Sequence, residues 1–564
     1  MIEVYCENIK KRLECEPGTT LAKLAADNSI TLEWPILAAI VDNQLKELGF
    51  QIYNAHNIEF IDFSHPDGVR SYSRSLNFIL QRAVSELYPQ YSLIIDYNLQ
   101  NGMYAEIREL RPEENGSPKV VILSEDEVRA IKVRMQQLID ANLPFTRQKI
   151  RTDKALKMFR DNNRCEKAAI HELRGKFFTT VYFLDGYPDH YYGPLVESTG
   201  VITSWDFESF GRGLLLRSPS ITTPYEIIKT PYQFKIFDVF KEHSNWCNIL
   251  GVKGVGSLNR AIYEGKATPL IQIAEALHER KYTLIADEIY RRRERLKLVM
   301  ISGPSSSGKT TTSKRIALQL KVLGLNPVVI EMDNYFVDRI TTPLDSDGNY
   351  DFEVLEALDV KFLNHQLNDL FAGKNIEVPK FDFAEGKRIF TGERISLKEN
   401  DILIMEGIHA LNPKITSDIA KDRLFKIYAS ALTSLALDEN NSISTSDCRL
   451  LRRLVRDGNF RGVSPEGTIL RWPSVRRGEI NNIFPYQENA DIMFNSALIY
   501  ELPLLKYYAD PLLRRIPANS PAYTESIRLL KFLSYIQELQ PSEVSSVPPT
   551  SVIREFIGGS SFKY

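Results

Sequence analysis

The feature that most constrains this chain is the segment GPSSSGKT at residues 303–310. It fits the pattern G-x-x-x-x-G-K-[ST], which forms a phosphate-binding loop when a strand precedes it and a helix follows it. The apolar run LKLVMIS before the segment predicts the strand, and KTTTSKRIALQLKVLG after it predicts the helix. The sequence therefore predicts a parallel α/β sheet that binds a phosphorylated ligand.

The residue types of this loop suit a nucleoside triphosphate. Gly303 and Gly308 permit backbone conformations in which N–H groups point at phosphate oxygens, and the start of the helix adds its positive dipole end. Lys309 would reach the β- and γ-phosphates, and the Thr310 hydroxyl would ligate Mg²⁺. We therefore expect ATP and Mg²⁺ as cofactors. The predicted ATP-binding residues of the loop and first helical turn are Gly303, Ser305, Ser306, Ser307, Gly308, Lys309, Thr310 and Thr311.

Two carboxylates follow predicted strands. The strand VVIEMD ends at Asp333, and in a doubly wound sheet that position lies beside the γ-phosphate, where a carboxylate can accept a proton from an attacking hydroxyl. The strand DILIMEG ends at Glu406, where an acid can hold the metal directly or through water. The alternatives are a turn aspartate and a plain strand-end acid. We predict Asp333 and Lys309 as catalytic residues, and Thr310 and Glu406 as metal ligands.

A strongly basic stretch lies between residues 449 and 477. It has eight arginines, no lysine and two acids, a local charge of +6. At helical spacing, Arg449, Arg452, Arg453 and Arg456 share one face, and leucine and valine fill the opposite face. We expect the apolar face to pack and the other face to present guanidinium groups to phosphate, as a lid over ATP. A solvated or RNA-facing patch is the alternative.

Composition narrows the setting. The whole chain has a formal charge of -2, which gives no general electrostatic basis for binding nucleic acid or an anionic membrane. The five cysteines include no C-x-x-C pair, and neither a signal peptide nor a membrane-length apolar run occurs in the sequence. We expect a cytoplasmic protein. The absence of an N-K-x-D segment weakly disfavours a GTPase.

Changes in pattern divide the 564 residues into five parts. Residues 214–295 are predicted to connect two structured halves through one long helix, and GVKGVGSLN within them is predicted as turns. DENNSISTSD, at residues 438–447, is predicted as no more than a polar loop. The full division is a small mixed domain at 1–63, a helix and strand domain at 64–213, the connector at 214–295, the α/β segment at 296–500 and a helical segment at 501–564.

The α/β segment resembles the uridine-cytidine kinase family of P-loop nucleoside kinases. The resemblance rests on six segments in that family's order and approximate spacing: GPSSSGKTTTSKR, EMDNYF, NYDFEVLEALD, VPKFDFAEGKR, ILIMEGIHAL and RLLRRLVRDGNFRG. It implies that Asp333 is the general base for the nucleoside 5'-hydroxyl and that Asp351 and Arg388 hold the ribose side of the substrate. It also implies an ATP lid formed by Arg452, Arg453, Arg456 and Arg461.

The resemblance weakens where the base would bind. The family carries a tyrosine and a histidine near the pyrimidine, and the corresponding positions here are Phe381 and Gly386. Phe381 is still placed in the substrate site by the match. Because buried hydrogen-bond partners give large discrimination between substrates, transfer to a sugar hydroxyl is better supported than a preference for uridine.

The first 213 residues resemble a different family, the TGS domain and second N-terminal domain of threonyl-tRNA synthetase. DGVRSYSRSLNFILQRAVSELYP and YYGPLVESTG carry this resemblance. The synthetase's metal-supported editing site would need histidine and cysteine at positions that are Arg74, Phe78, Tyr191 and Leu195 here. The resemblance therefore implies sensing, RNA contact or assembly rather than hydrolysis of mischarged tRNA.

Together these features predict a multidomain α/β protein, with a P-loop kinase domain behind a β-grasp-like TGS domain and an α+β synthetase-like domain. The predicted activity is transfer of the γ-phosphate of ATP to the 5'-hydroxyl of a nucleoside, uridine or cytidine. One alternative is a kinase of another nucleoside or a small sugar-type alcohol. The other is an RNA- or tRNA-binding factor in which ATP acts as a switch. The regulatory ligand and a homo-oligomeric state are left open.

Overall fold

The computed structural model of the protein describes residues 1–99, 102–110, 119–224, 226–229, 232–345, 348–417 and 419–564. The first part of the chain contains β1 (Ile2–Cys6), β2 (Lys11–Cys15), β3 (Thr19–Thr20), α1 (Leu21–Asp27), β4 (Ala38–Val41), β5 (Gln44–Lys46), β6 (Gln51–Ile52) and β7 (Asn57–Ile61). The main sheet has the order β2-β1-β7-β4-β5. β1 and β2 form an antiparallel hairpin, and Thr20 caps α1 by accepting the Lys23 N–H at 3.2 Å.

The second part mixes helices with two further sheets. Its elements are α2 (Pro66–Leu87), β8 (Tyr91–Leu99), β9 (Gly102–Glu109), β10 (Val120–Val121), α3 (Glu125–Asp140), β11 (Phe145–Arg151), α4 (Thr152–Asp161), α5 (Cys165–Leu173), β12 (Phe178–Leu184), β13 (Tyr187–Asp189), β14 (Asp206–Phe210) and β15 (Gly213–Arg217). One sheet has the order β10-β9-β15-β14 with β8 paired to β9, and the other has the order β11-β12-β13. The segment DGVRSYSRSLNFILQRAVSELYP, which carries part of the synthetase resemblance, forms most of α2.

The connector is more helical than the sequence predicts. It contains α6 (Phe234–Ile249), α7 (Val255–Tyr263) and α8 (Ala267–Arg291). The turns predicted for GVKGVGSLN are wrong for residues 255–259, which form the start of α7. The carboxylate of Glu166, on α5, accepts the Ser257 N–H at 2.8 Å. A residue distant in sequence thus supplies an acceptor for an N–H group in the first turn of this helix, which the local pattern alone does not reveal.

The third part is the parallel α/β layer that the phosphate-loop motif predicts. Its elements up to residue 500 are β16 (Leu298–Ser302), α9 (Lys309–Val322), β17 (Asn326–Glu331), α10 (Val360–Phe371), β18 (Ile376–Asp382), β19 (Lys387–Ile395), β20 (Asp401–Glu406), β21 (Leu424–Ser430), α11 (Thr445–Arg456), α12 (Pro465–Asn482) and β22 (Ile492–Asn495). The sheet has the order β17-β20-β16-β21-β22, and every neighbouring pair is parallel. The central strands β16 and β20 are buried along their whole length, as expected of a sheet covered on both faces.

The C-terminal part is helical, as predicted, but it does not stand apart from the α/β layer. Its helices are α13 (Glu501–Leu513), α14 (Tyr523–Leu533), α15 (Pro541–Val544) and α16 (Arg554–Ile557). One hydrophobic core joins them to α7, α8, α11 and α12. Within the described part of the chain, no helix is both long enough and apolar enough to span a membrane.

Residues 438–444 of the polar segment form a loop, as predicted, but the prediction is wrong for residues 445–447, which are the first turn of α11. The loop does not lie at the surface, where polar loops usually lie. Asp438, Glu439, Asn440 and Asn441 are all buried, at 1–7% exposure. The loop leaves the α/β layer after β21 and enters the second part of the chain, where Asn440 donates to Gln81 and Asn441 to the carbonyl of His190. It therefore joins the two halves of the molecule four residues before α11 begins.

Candidate active site

The phosphate loop connects β16 to α9 at the carboxyl edge of the parallel sheet. Gly303 is packed so closely that a Cβ there would lie 1.9 Å from the carbonyl oxygen of Ala429. Gly308 has a φ of +81° and Ser306 a φ of +59°, so two residues of the loop adopt the left-handed conformation. Alternation of this kind forms a concavity of backbone N–H groups that binds anions. The predicted strand, loop and helix are confirmed in this order.

The loop also contains polar atoms that have no partner within the protein. The hydroxyl oxygens of Ser306 and Ser307 are buried and make no hydrogen bond among the described residues. A buried polar atom left in this state costs about 1–3 kcal/mol. Lys309 folds back over the loop and donates to the carbonyl of Pro304 at 3.2 Å. Unpaired donors together with a lysine suit the oxygens of a polyphosphate.

Thr310 and Glu406 meet, as the metal prediction requires. The Thr310 hydroxyl donates to the Glu406 carboxylate at 2.6 Å. Burial raises the pKa of Glu406 to about 7, with Lys309 opposing the rise and Asp333 adding to it. A divalent cation would relieve this crowding of negative charge, so the residues fit Mg²⁺. Among the residues described, no three acidic, histidine or cysteine side chains form a metal site by themselves, so phosphate oxygens and water would complete the ligand set.

Asp333 lies in a short 3-10 turn, Met332–Tyr335, that follows β17 directly, rather than in the strand itself. Burial raises the pKa of its carboxyl group, while the positive charges of Lys309, Arg461 and Arg456 lower it. These three cations come from the phosphate loop and from the arginine-rich stretch. The structure therefore brings the predicted base, the loop lysine and two predicted lid arginines to one place.

The sequence interpretation missed a second buried acid, Glu353, which packs closely against Gly478 of α12. Burial raises the pKa of Glu353 to about 7, with Glu479 and Asp333 adding to the rise and Arg453 and Lys309 opposing it. The Oε2 atom of Glu353 is buried without a hydrogen-bond partner in the described chain. The motif NYDFEVLEALD contains both Asp351 and Glu353, but only the fold shows which of them turns inward.

The arginine face of α11 turns toward the phosphate loop, and two of its guanidinium groups, which were expected to face a ligand, are engaged in buried ion pairs in this structure. Arg449 is 1% exposed and pairs with Glu479, while donating to the Ser305 carbonyl at 3.0 Å. Arg452 is fully buried and pairs with Glu501 at 2.6 Å. Buried carboxylates from elsewhere in the chain occupy these arginines, and the pairs fasten α11 to the loop.

The remaining arginines of the stretch are less constrained. Arg453 donates to the Ser305 hydroxyl at 2.8 Å, which places it on the loop itself. Arg456 contacts Asp457 at 2.9 Å. Arg461 lies in the π-helical turn after α11, and its side chain is 58% exposed. These three, and not Arg452, keep guanidinium groups near Asp333 or the loop without a fully buried ion pair.

Glu479, on α12, is a second residue that the sequence interpretation missed. It is fully buried and accepts the Ser305 N–H at 3.2 Å, and it also pairs with Arg449 and Arg476. The two arginines hold its pKa below the ordinary value, although burial would raise it. A permanently charged carboxylate thus holds the first half of the phosphate loop. No local motif marks it, because its partners lie 3, 30 and 174 residues away.

The predicted substrate residues make contacts of their own within the protein. Arg388 pairs with Asp359 at 3.1 Å and donates to the carbonyl of Phe336, so its guanidinium group is engaged within the protein. Asp351 accepts the Glu353 N–H at 2.9 Å and so shapes the turn that carries Glu353. Phe381 is 3% exposed, and its ring packs against Phe336 and Phe383.

The comparisons with known proteins agree with this geometry. Residues 298–499 match the model of the phosphoribulokinase/uridine kinase family. Over 199 residues the chain is 33% identical to the uridine kinase of Staphylococcus aureus strain JH9, which covers 35% of this chain and 86% of that protein. The uridine kinase of strain Newman matches to the same extent. The chain belongs to the phosphoribulokinase/uridine kinase family.

Two solved structures are also similar to part of the chain. One is described as a possible uridine kinase from Bacillus stearothermophilus, with 18% identity, 36% of this chain and 89% of that chain covered, and a TM-score of 0.25. The other is a D-glycerate 3-kinase from Cryptococcus neoformans, with 12% identity, coverage of 46% and 87%, and a TM-score of 0.22. The family assignment rests on the sequence match. All the predicted site residues of this kinase family member fall within 298–499, whereas the first 297 residues lie outside it.

Proposed function

We propose that the protein transfers the γ-phosphate of ATP to the 5'-hydroxyl of a nucleoside, uridine or cytidine. One arrangement carries the proposal: Asp333 directly follows β17, at the carboxyl edge of the sheet that also carries the phosphate loop, and Lys309, Arg456 and Arg461 oppose the rise that burial causes in its pKa. A base needs a pKa closer to the working pH than that of an ordinary aspartate, and the cations hold the charge that develops on a transferring phosphoryl group. The family match is consistent with this activity.

The roles of the residues follow from their positions. The loop N–H groups and Lys309 would bind and orient the phosphates, and Asp333 would accept the proton of the attacking hydroxyl. Mg²⁺, held by Thr310 and Glu406, would supply charge neutralisation at the phosphate oxygens. Arg453, Arg456 and Arg461 would stabilise the transferring group and exclude water. Arg452 acts only through the position of α11, because Glu501 already occupies its guanidinium group.

The direct test is incubation of the protein with labelled ATP, Mg²⁺ and separate nucleosides, with and without Asp333→Asn. We expect a nucleoside 5'-monophosphate from the wild type and at least about a 10³-fold lower rate from the variant, with ATP affinity nearly unchanged. Asp422→Asn is the matched control, because Asp422 is an exposed aspartate just before β21, at the opposite edge of the sheet. Unchanged turnover in Asp333→Asn would refute the base assignment.

A different acceptor is a second candidate, and one observation favours it. At Gly386, where the family has a histidine, a Cβ would lie 2.8 Å from the Cβ and the guanidinium carbon of Arg339. The half-buried side chain of Arg339 thus occupies the space where the family's histidine side chain would lie. Arg339 is not part of any of the six segments that carry the family resemblance. A panel of nucleosides and small sugar alcohols, assayed with Arg339→Ala and the wild type, would show which acceptor depends on this side chain.

We also propose that the first two parts of the chain are the TGS-like and synthetase-like domains predicted above, and that they serve assembly or sensing. The positions of the synthetase's editing ligands support the loss of hydrolysis. Arg74, Phe78, Tyr191 and Leu195 are all buried, at 0–8% exposure, in the packed interior of the second part. If the protein were instead an RNA-dependent ATP switch, RNA would stimulate ATP hydrolysis and no phosphorylated small molecule would form. A cytoplasmic location remains a prediction.

A further inference from the structure

The end of the chain lies across the phosphate loop. We name residues 547–564 the C-terminal strap. Val552 contacts the inner glycine of the loop, since a Cβ on Gly308 would lie 2.3 Å from Val552 Cγ2. The Phe556 ring lies 5.1 Å from the guanidinium carbon of Arg452, which fastens α11 to the loop. The strap therefore packs against both the loop and α11.

One residue of the strap, Glu555, is hydrogen-bonded to Thr311, whose N–H group is predicted to bind a phosphate of the nucleotide. The Glu555 carboxylate accepts the Thr311 N–H at 3.3 Å and the Thr311 hydroxyl at 2.6 Å. The hydroxyl of Tyr564 lies 2.9 Å from the same threonine oxygen. Thr311, one of the predicted ATP-binding residues, is consequently 0% exposed.

The position of Thr311 in α9 explains why this matters. The first N–H groups of a helix have no partner within it, and their dipoles favour an anion. In α9 the Thr312 N–H donates to the Gly308 carbonyl at 2.9 Å. The Thr311 N–H is therefore the last N–H group of the first turn that has no acceptor within the helix itself. An ionised carboxylate is an acceptor only, like a phosphate oxygen. The carboxylate and a phosphate group cannot accept the same N–H in the same place, and they repel each other nearby.

The strap is attached on both sides of this contact. Before it, the Thr550 carbonyl accepts from Arg315 at 2.6 Å, and the Ser551 hydroxyl donates to Glu275 at 2.6 Å. After it, Lys314 donates to the Lys563 carbonyl, and its Nζ lies 4.6 Å from the centre of the Tyr564 ring. Anchors at both ends give Glu555 a high effective concentration at Thr311.

We propose that the C-terminal strap is an internal competitor of the nucleotide, in which Glu555 takes the place of a phosphate group at the first turn of α9. The inference rests on the proposed function to the extent that this loop must bind ATP. When ATP binds, Glu555 is displaced from Thr311, and residues 552–564 become less tightly held. Any partner that lifts the strap would raise the affinity for ATP.

The test is calorimetric titration of the full-length wild type and Glu555→Gln with ATP and Mg²⁺. The amide keeps the shape of the side chain but removes the negative charge. We therefore expect the variant to bind ATP at least about fivefold more tightly than the wild type. Glu538→Gln is the matched control, because Glu538 is an exposed acid between α14 and α15 and should leave the affinity unchanged. Equal or weaker binding by a folded Glu555→Gln protein overturns the proposal.

Hydrogen exchange of the wild type gives a second readout that needs no variant. Saturating ATP should increase amide exchange across residues 552–564 while it protects the phosphate loop. Unchanged or slower exchange in the strap, with the loop protected, also overturns the proposal.

Product analysis in the same samples separates the two hypotheses. If Glu555→Gln binds ATP more tightly but no nucleoside is phosphorylated, the proposed function fails and the competitor survives. If nucleosides are phosphorylated and the affinity does not change, the competitor fails and the function survives.

Discussion

Two regions of this molecule bury clusters of charged groups, and they differ in how those groups are satisfied. In the first, where residues 438–441 enter the second part of the chain, Lys167 pairs with Asp189 and lies 3.6 Å from Asp438. Glu439 accepts two N–H groups from the start of α5, and Asp438 accepts from the N–H groups of Asn440 and Asn441. We call this the docking cluster.

In the second region, the phosphate site, the same kinds of groups are left incomplete. One oxygen of Glu353 and the hydroxyls of Ser306 and Ser307 are buried without partners among the described residues, and Glu406 accepts a single hydroxyl. A satisfied cluster fixes how two parts of a chain pack, whereas an unsatisfied one reserves its bonding capacity for a ligand. The number of hydrogen-bond partners that the buried groups have, rather than the number of charges, therefore distinguishes the structural site from the functional one.

The largest effect is expected from a substitution that removes the buried cation of the docking cluster. Burial would lower the pKa of Lys167, but Asp189 and Asp438 raise it above its ordinary value, so the side chain is charged. Lys167→Met leaves buried carboxylates without their cation, and we expect the free energy of unfolding to fall by about 3–5 kcal/mol in urea titrations. Lys154→Met, at an exposed lysine of the neighbouring α4, should change it by less than about 0.5 kcal/mol. A loss no greater than that of the control contradicts the role of the cluster.

A smaller effect distinguishes the arginines of α11. Arg456→Met should lower kcat about 100-fold with little change in thermal stability, since Arg456 acts on Asp333 and has no fully buried ion pair. Arg452→Met should instead lower the melting temperature, because it leaves Glu501 buried and unpaired. Both variants are measured by initial rates and by thermal unfolding. If the two variants gave the same pattern, the division of this helix into fastening and functional arginines would be wrong.

Glu406→Gln should have opposite effects on stability and activity. The variant removes a charge that burial disfavours, so at pH 8 the nucleotide-free protein should gain about 1 kcal/mol of unfolding free energy. Turnover should fall because a metal ligand is lost. Glu399→Gln, at an exposed acid just before β20, is the control for both measurements. A destabilised Glu406→Gln protein would place Glu406 with the docking cluster instead.

The smallest effect is the pH dependence of that gain. The pKa of Glu406 rises from the ordinary 4.5 to about 7 on folding, so the folded protein keeps a proton that the unfolded chain loses between these values. Stability contributed by this group is therefore present below about pH 4.5 and declines as the pH rises toward 7. The difference between Glu406→Gln and wild type, measured by urea unfolding at several pH values, should widen across that window and then level off. A difference that is constant with pH excludes the linkage.

Much of the site could be predicted because its signals are local. The phosphate loop is one continuous motif, and Asp333 and Glu406 stand at the ends of short apolar runs that a parallel sheet brings to one edge. Glu479, Glu501 and Glu555 were not predicted, because each is a single acid without a motif that meets its partner through the fold. The same limit applies to Arg452, whose helical face was assigned correctly but whose buried partner was not.

The sequence by itself determined the α/β layer, the phosphate loop and the residues proposed to act at its edge, because periodicity and short motifs act over one or two elements. Only the tertiary structure decided which charged groups are occupied: Asp438 and Glu439 are buried, Arg452 is paired and Glu555 accepts from Thr311. The physical reason is that the free energy of a charge depends on the solvent and partners around it, and contacts between residues far apart in the chain supply both.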